Sequence, residues 1–237
     1  MEKKVILITG ASGGIGSSLA EYFHQRDFTL VLHHNENKPS LNERNNIMHY
    51  QADLTSEEEV DKMIETILQQ MNHIDIIINN AGISDSHISW KTTLESWDQT
   101  IATNLTAPFL VCKHAIPAMR EQKWGRIINI SSVVGQTGAI GTSAYAASKA
   151  GLIGLTKTLS KELSSAGITA NNLALGYFNR GMIRDVPEDL KQAIKADIPL
   201  KRLGDPQAIC HTINYLIDSS ADYITGQTIN VNGGLYT

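Results

Sequence analysis

Four consecutive aliphatic residues, Val5-Ile-Leu-Ile8, run directly into Thr9-Gly-Ala-Ser-Gly-Gly-Ile-Gly16. No other stretch of the chain narrows its fold as much. A short, unbroken aliphatic run reads as a strand buried on both faces. Leu19, Ala20 and Phe23 then follow at helical spacing, so the glycines fall at a strand-to-helix turn. Glycine there lets other groups approach the backbone closely, and the open N–H groups of the helix start face an anion. A pyrophosphate fits that environment; the alternative is a plain tight turn without a ligand.

The rest of the chain repeats the pattern. Strand-like runs occur at 28–32, 48–52, 74–78, 126–132, 168–174 and 226–231, with amphipathic helical patterns between most of them. Thr55 and Ser56 ahead of Glu57, Glu58 and Glu59 mark one helix start. The segment 35–46 is polar and aperiodic, which predicts a loop. Between Trp97 and Arg120 runs a long helical pattern. It holds Asn104, a poor helix former that predicts a kink or a bound water, and Pro117, which predicts a bend or an end. Alternating strands and helices predict an α/β fold, a single Rossmann-like, doubly wound parallel sheet of about seven strands with helices on both faces. No repeat, linker or low-complexity run divides residues 1–237, so one domain is expected. The segment 177–199 mixes charged and apolar residues after a strand end, where such sheets bind ligands, and is the expected substrate lid.

Bulk properties exclude several function classes. A net charge of −4 over 237 residues argues against a nucleic-acid or anionic-membrane binder, which needs a basic stripe. No run of apolar residues is long enough for a membrane span, and the start, Met1-Glu-Lys-Lys-Val, lacks a signal-peptide pattern. Cys112 and Cys210 make neither a disulfide framework nor a metal site and read as helix-core residues. No metal site is expected, and His87, His114 and His211 are scattered singly. A cytoplasmic protein is the expectation.

The chemistry concentrates between Arg126 and Lys149. The strand ends in Ser131 and Ser132, a glycine-rich loop follows, and a helical run then carries Tyr145 and Lys149. Four residues apart, these two share a helix face. An ammonium beside a phenol lowers the phenol's pKa, which suits proton exchange near neutrality. On an ordinary helix the same spacing carries no chemistry, and Lys149 would be a solvated surface residue. The strand 28–32 ends in His33-His34-Asn35 without the carboxylate that holds a ribose diol in NAD sites, and Glu36 falls later, in loop. His34, Asn35, Ser12 and Lys38 are candidate partners for a 2′-phosphate, which favours NADP(H) over NAD(H).

Taken together, Thr9-Gly10-x-x-x-Gly14-Ile15-Gly16, Asp53-Leu54, Asn79-Asn80-Ala81-Gly82 and the set Asn104, Ser132, Tyr145 and Lys149 resemble the motifs of the short-chain dehydrogenase/reductase family, in order and over nearly the whole chain. The resemblance implies cofactor contacts at Gly10, Ser12, Gly14, Ile15, Gly16, His34, Asn35, Asp53, Leu54, Asn80, Ala81, Gly82, Tyr145, Lys149, Gly176 and Phe178. It also implies a catalytic tetrad. Tyr145 exchanges the proton, Lys149 lowers its pKa and binds the nicotinamide ribose, Ser132 holds the carbonyl oxygen, and Asn104 holds a water linked to Lys149. Within the family, Trp124-Gly-Arg-Ile-Ile-Asn-Ile-Ser-Ser, Pro199-Leu-Lys-Arg-Leu-Gly and Ile224-Thr-Gly-Gln-Thr-Ile-Asn-Val-Asn-Gly-Gly are most similar to 3-oxoacyl-[acyl-carrier-protein] reductases and acetoacetyl-CoA reductases.

Three departures stand out. Gly13 replaces the Arg or Lys common in NADPH users. Leu175-Gly176 replaces Pro-Gly, and Arg180 stands where Thr or Ser usually follows. Of two basic positions for docking acyl carrier protein, Arg126 matches one and Ala166 replaces the other. The resemblance implies an NADPH-dependent reductase of 3-oxoacyl thioesters on acyl carrier protein or coenzyme A, as in fatty-acid-type biosynthesis. It also implies a homotetramer or homodimer whose helices near 97–120 and 144–166 pair. The alternatives are a dehydrogenase of another small alcohol, ketone or sugar, and a catalytically idle cofactor sensor.

Overall fold

The computed structural model describes residues 3–42, 44 and 46–237. Seven parallel strands form one sheet in the order β3-β2-β1-β4-β5-β6-β7. They span Lys4–Ile8 (β1), Phe28–His34 (β2), Ile47–Gln51 (β3), Ile76–Asn79 (β4), Gly125–Ser132 (β5), Ile168–Leu175 (β6) and Thr228–Val231 (β7). The expected α/β sheet is present. Strand order reverses between β1 and β4, so their carboxyl ends diverge and leave a crevice, as doubly wound sheets do.

The aliphatic strands fill two cores, one on each face of the sheet. Val5 and Leu7 pack with Val31, Ile77 and Ile127 against α2 (Glu57–Met71) and α4 (Ala107–Gln122). Ile6 and Ile8 pack with Leu30, Ile78 and Ile128 against α1 (Gly14–His24) and α8 (Pro206–Ile217). Alternate residues of a strand point to opposite faces, and with helices on both faces neither set can be polar. That is why β1 reads as an unbroken aliphatic run. Val60, Met63, Ile64 and Ile67 make the buried stripe of α2, and Ser56 caps its start with an acceptor 3.3 Å from the Glu59 N–H. Cys112 and Cys210 are buried in these cores, and burial pushes their thiols up to about 12 and about 11.

Several expectations need correcting. The helical pattern near 97–120 is α3 (Leu94–Ile101), a π-helical segment Ala102–Thr106, and α4. The irregularity expected at Asn104 is therefore a wide turn that lets this side chain reach inward. The expected end at Pro117 is not found. α4 carries the proline and closes at Lys123 in a left-handed cap (φ 56°). The segment 177–199 is more ordered than its composition suggests: a 3₁₀ turn at Gly181–Asp185 precedes helix α7 (Glu188–Asp197). Leu190 and Ile194, four apart, give α7 its one apolar stripe, too short to read as a period. The polar stretch 35–46 is loop wherever it is described; residues 43 and 45 of it lie outside the described residues. A short helix α5 (Val134–Thr137) and a long helix α6 (Ser143–Leu163) follow β5.

Candidate active site

The crevice at the carboxyl ends of β1, β4, β5 and β6 is a cleft of about 1310 Å³. Its floor is the glycine turn. Gly10 has φ 64°, and a Cβ there would come within 2.8 Å of the Ala81 Cα. At Gly16 a Cβ would come within 2.2 Å of the Gly10 carbonyl oxygen. At Gly14 the obstacle is different: the Gly181 nitrogen, 2.3 Å away. Gly10 lets the turn pack against the end of β4, and Gly16 lets the turn fold back on itself. Gly14 seats the segment after β6 directly on the start of α1.

Side chains from neighbouring strands lock this turn. Thr9 Oγ1 accepts from the N–H groups of Asn80 (2.9 Å) and Ala81 (3.0 Å). Asn80 Nδ2 donates to the carbonyls of Thr9 (2.9 Å) and Gly10 (3.1 Å). The Gly10 N–H donates to His33 Nδ1 at 3.2 Å, so the His33 proton sits on Nε2 and is donated to the Ala52 carbonyl at 3.0 Å. Burial pushes the His33 pKa down to about 4, which keeps the ring neutral for this double duty.

Of the residues expected to contact a cofactor, Gly10, Ser12, Gly14, Ile15, Gly16, Asn35, Asp53, Leu54, Asn80, Ala81, Gly82, Tyr145, Lys149, Gly176 and Phe178 all line the cleft. His34 does not. It is buried, with its ring 6.3 Å from that of His49 and Nδ1 at the Asn35 carbonyl. His33 takes the place in the cleft instead. The signal was available: side chains alternate along β2, and His33 shares the face of Val31 whereas His34 shares that of Leu30 and Leu32. Lys38 does not line the cleft either, whereas Glu36 does. Asp53 Oδ1 accepts from the Thr55 N–H (2.9 Å) and hydroxyl (2.7 Å), which fixes the end of β3.

At the deep end, β5 and α6 bring Ser132, Tyr145 and Lys149 together. The Ser132 hydroxyl faces the Tyr145 phenol closely enough to act on its pKa. Lys149 Nζ lies 5.7 Å from the Tyr145 ring centre and donates to the Ile130 carbonyl at 2.8 Å. Lys149 is buried, so it is not a solvated surface residue. Ser131 donates its hydroxyl to the Lys149 carbonyl (2.8 Å) and ties strand to helix, which leaves Ser132 as the hydroxyl on the phenol. A Cβ at Gly135 would come within 2.8 Å of the Lys149 backbone, so this glycine lets α6 approach α5.

Burial raises the Tyr145 pKa above the usual phenol value; the Ser132 hydroxyl opposes this and nearby Tyr177 adds to it. The phenol is not acidified, and it stays protonated at neutral pH. Burial also pushes Lys149 down to about 8, so its ammonium is still mostly charged at pH 7. Asn104 is buried, and its amide is spoken for. Oδ1 accepts from the Ile83 N–H (2.8 Å), and Nδ2 donates to the Ile83 carbonyl (2.8 Å) and the Ser148 hydroxyl (3.2 Å). Its side chain pins the chain after β4 against α6, and Oδ1 and Lys149 Nζ both lie beside Gly82.

Arg126 is not a docking residue. Its side chain is 1% exposed, donates to the carbonyls of Gly125 (2.8 Å) and Gly167 (3.3 Å), and lies 4.4 Å from the Trp124 ring. Strand position 126 faces inward under α8, so a basic residue there serves the fold.

The family model for short chain dehydrogenase matches residues 4–191. The chain belongs to the short-chain dehydrogenase family. It is accordingly an oxidoreductase of CH–OH groups that uses a nicotinamide cofactor. Among curated relatives of this dehydrogenase is a 3-oxoacyl-[acyl-carrier-protein] reductase FabG of Aquifex aeolicus, 36% identical over 100% of this chain and 98% of the relative. Nodulation protein G of Azospirillum brasilense is 39% identical, with 99% of each chain covered. FabG of Staphylococcus epidermidis is 37% identical over 98% of this chain and 99% of its own.

The residues present fit such a cofactor. The α1 start lines the cleft with no capping side chain and no acidic residue in its first turn, and glycines 10 and 16 hold the turn flat. Open N–H groups at a helix start suit a pyrophosphate. Lys149 and Tyr145 line the same cleft as this helix start.

Proposed function

We propose that this dehydrogenase reduces the 3-oxo group of an acyl thioester, on acyl carrier protein or coenzyme A, with NADPH. The observation that carries the reading is the half-buried, protonated Tyr145 beside the Ser132 hydroxyl and a buried Lys149. The FabG names of several full-length relatives support the substrate class. The cofactor supplies a hydride from its nicotinamide. Ser132 donates a hydrogen bond to the carbonyl oxygen, where negative charge develops. Tyr145 donates its phenolic proton to the same oxygen, which completes the alcohol. Lys149 steadies the phenolate left behind. Asn80, Thr9 and His33 hold the phosphate turn, and Asn104 holds the Ile83 strand end against α6. Incubation with NADPH and acetoacetyl-CoA should consume the NADPH and yield 3-hydroxybutyryl-CoA. No consumption with any 3-oxoacyl thioester would reject the reading.

Ser12, Asn35 and Asn37 offer neutral donors to a 2′-phosphate, and β2 ends without an acidic residue. With Glu36 nearby and neither His34 nor Lys38 in the cleft, the preference for NADPH should be modest, within about tenfold in Kd. Fluorescence titration of both cofactors measures it. Carrier-protein docking, if used, does not run through Arg126. The segment 177–199, seated on Gly14, serves as the lid in this reading. We place the enzyme in the cytoplasm, as a homotetramer or homodimer. Among the described residues no helix is long and apolar enough to cross a membrane.

A further inference from the structure

The acyl-thioester reading leaves open how the site would choose its chain, and two segments at the cleft mouth bear on that. The first is the segment after β6, which presents Met182, Val186, Leu190 and Ile194 to the cleft. Met182 and Leu190 are each 52% exposed. The second is the turn between α5 and α6, whose Ile140 lines the same cleft while 94% exposed. Ile140 stands between Gly138 (φ 71°) and Gly141 (φ 79°). A Cβ at Gly138 would meet nothing within 4 Å, and one at Gly141 nothing nearer than 3.9 Å. These left-handed glycines are therefore not forced by packing. They set the path of a tight turn that holds an isoleucine out in water. The turn lies between Ser132 and Tyr145 in the chain, and Ile140 lines the same cleft as both.

The occupant is argued from chemistry. A sugar or polyol needs hydrogen-bonding partners on every side, whereas this mouth offers four aliphatic side chains from the lid and a fifth from the turn. The charged residues that the lid segment adds to the cleft are Arg180 and Arg184, both cationic, while Glu36, Asp53 and Lys149 line it from other segments. An aliphatic tail joined to a phosphate-bearing carrier matches both features. We propose that Ile140 and Leu190 form a two-part clamp on the alkyl chain of a 3-oxoacyl thioester and set a preference for chains longer than the four-carbon substrate. The clamp rests on the reading of the preceding subsection.

The test is kcat/KM for a ladder of 3-oxoacyl-CoA substrates from four to twelve carbons, with wild type, Ile140→Ser and Leu190→Ser. Both positions are solvent-facing, and a thermal melt checks that the variants fold. Each methylene gathered into the clamp should raise wild-type kcat/KM by about fourfold until the apolar walls end. In each variant the loss should grow with length, to about tenfold more at ten carbons than at four. A flat wild-type profile, or an equal loss at every length, would overturn the clamp while leaving the acyl-thioester reading intact. No turnover at any length would overturn that reading itself, and the clamp with it.

Discussion

At the scale of single residues, burial decides the chemistry. Tyr145 and Lys149 both lose hydration in the cleft, and each is pushed toward its neutral form: the phenol up, the amine down to about 8. If the ammonium steadies the phenolate, reduction should weaken as Lys149 loses its proton. We expect kcat/KM for reduction to fall above pH 8, approaching tenfold per pH unit. A profile flat to pH 10 would show that this charge is not needed. The same depressed pKa makes Lys149 costly to the fold. Below pH 8 it is charged in both folded and unfolded chains, and the full burial penalty is present. Between pH 8 and about 10.4 the unfolded chain holds the proton that the folded one has released, so stability rises with pH there. Lys149→Met should therefore lose activity yet melt higher than wild type at pH 7, with the gap narrowing toward pH 10. A lower melting temperature at pH 7 would count against the assigned penalty.

At the scale of elements, the phosphate turn depends on what surrounds it. Gly16→Ala must push against the Gly10 carbonyl, a backbone atom with little freedom. It should cost about 1–3 kcal/mol and weaken cofactor binding at least tenfold by fluorescence titration. Gly14→Ala leaves the turn's own contacts alone but displaces Gly181, so it should act on lid seating, read as faster proteolysis within 177–199. Most of this architecture was legible in the chain. The β1 run, the glycine turn and the Tyr145–Lys149 spacing each follow from a local rule of periodicity or backbone freedom, whereas the strand-end Asn80 is legible only through the resemblance to the family. The misreadings have physical causes too. His34 and His33 are adjacent and differ only in which face of β2 they occupy, and composition alone does not separate them. Arg126 read as surface because charged side chains are rarely buried, and here two carbonyls and the Trp124 ring compensate it. The Asn104 bonds to Ile83 depend on the π-helical turn, and no spacing in the sequence announces that turn.

At the scale of the whole molecule, large aromatic side chains are exposed in two regions of the fold. Trp97 and Phe109 on α3 and α4 are 36% and 47% exposed, and Tyr223 before β7 is 98% exposed. If these faces meet copies of the same chain, light scattering should report two or four times the 26.0 kDa of one chain. A monomer at micromolar concentration would remove that proposal. The central claim concerns the proton and rests on one residue held by two others across the fold. Tyr145→Phe keeps the ring and its packing and removes only the hydroxyl. With acetoacetyl-CoA, kcat should fall by about 10²–10⁴-fold, while the NADPH Kd stays within about twofold of wild type. Near-normal turnover by this variant would contradict the account.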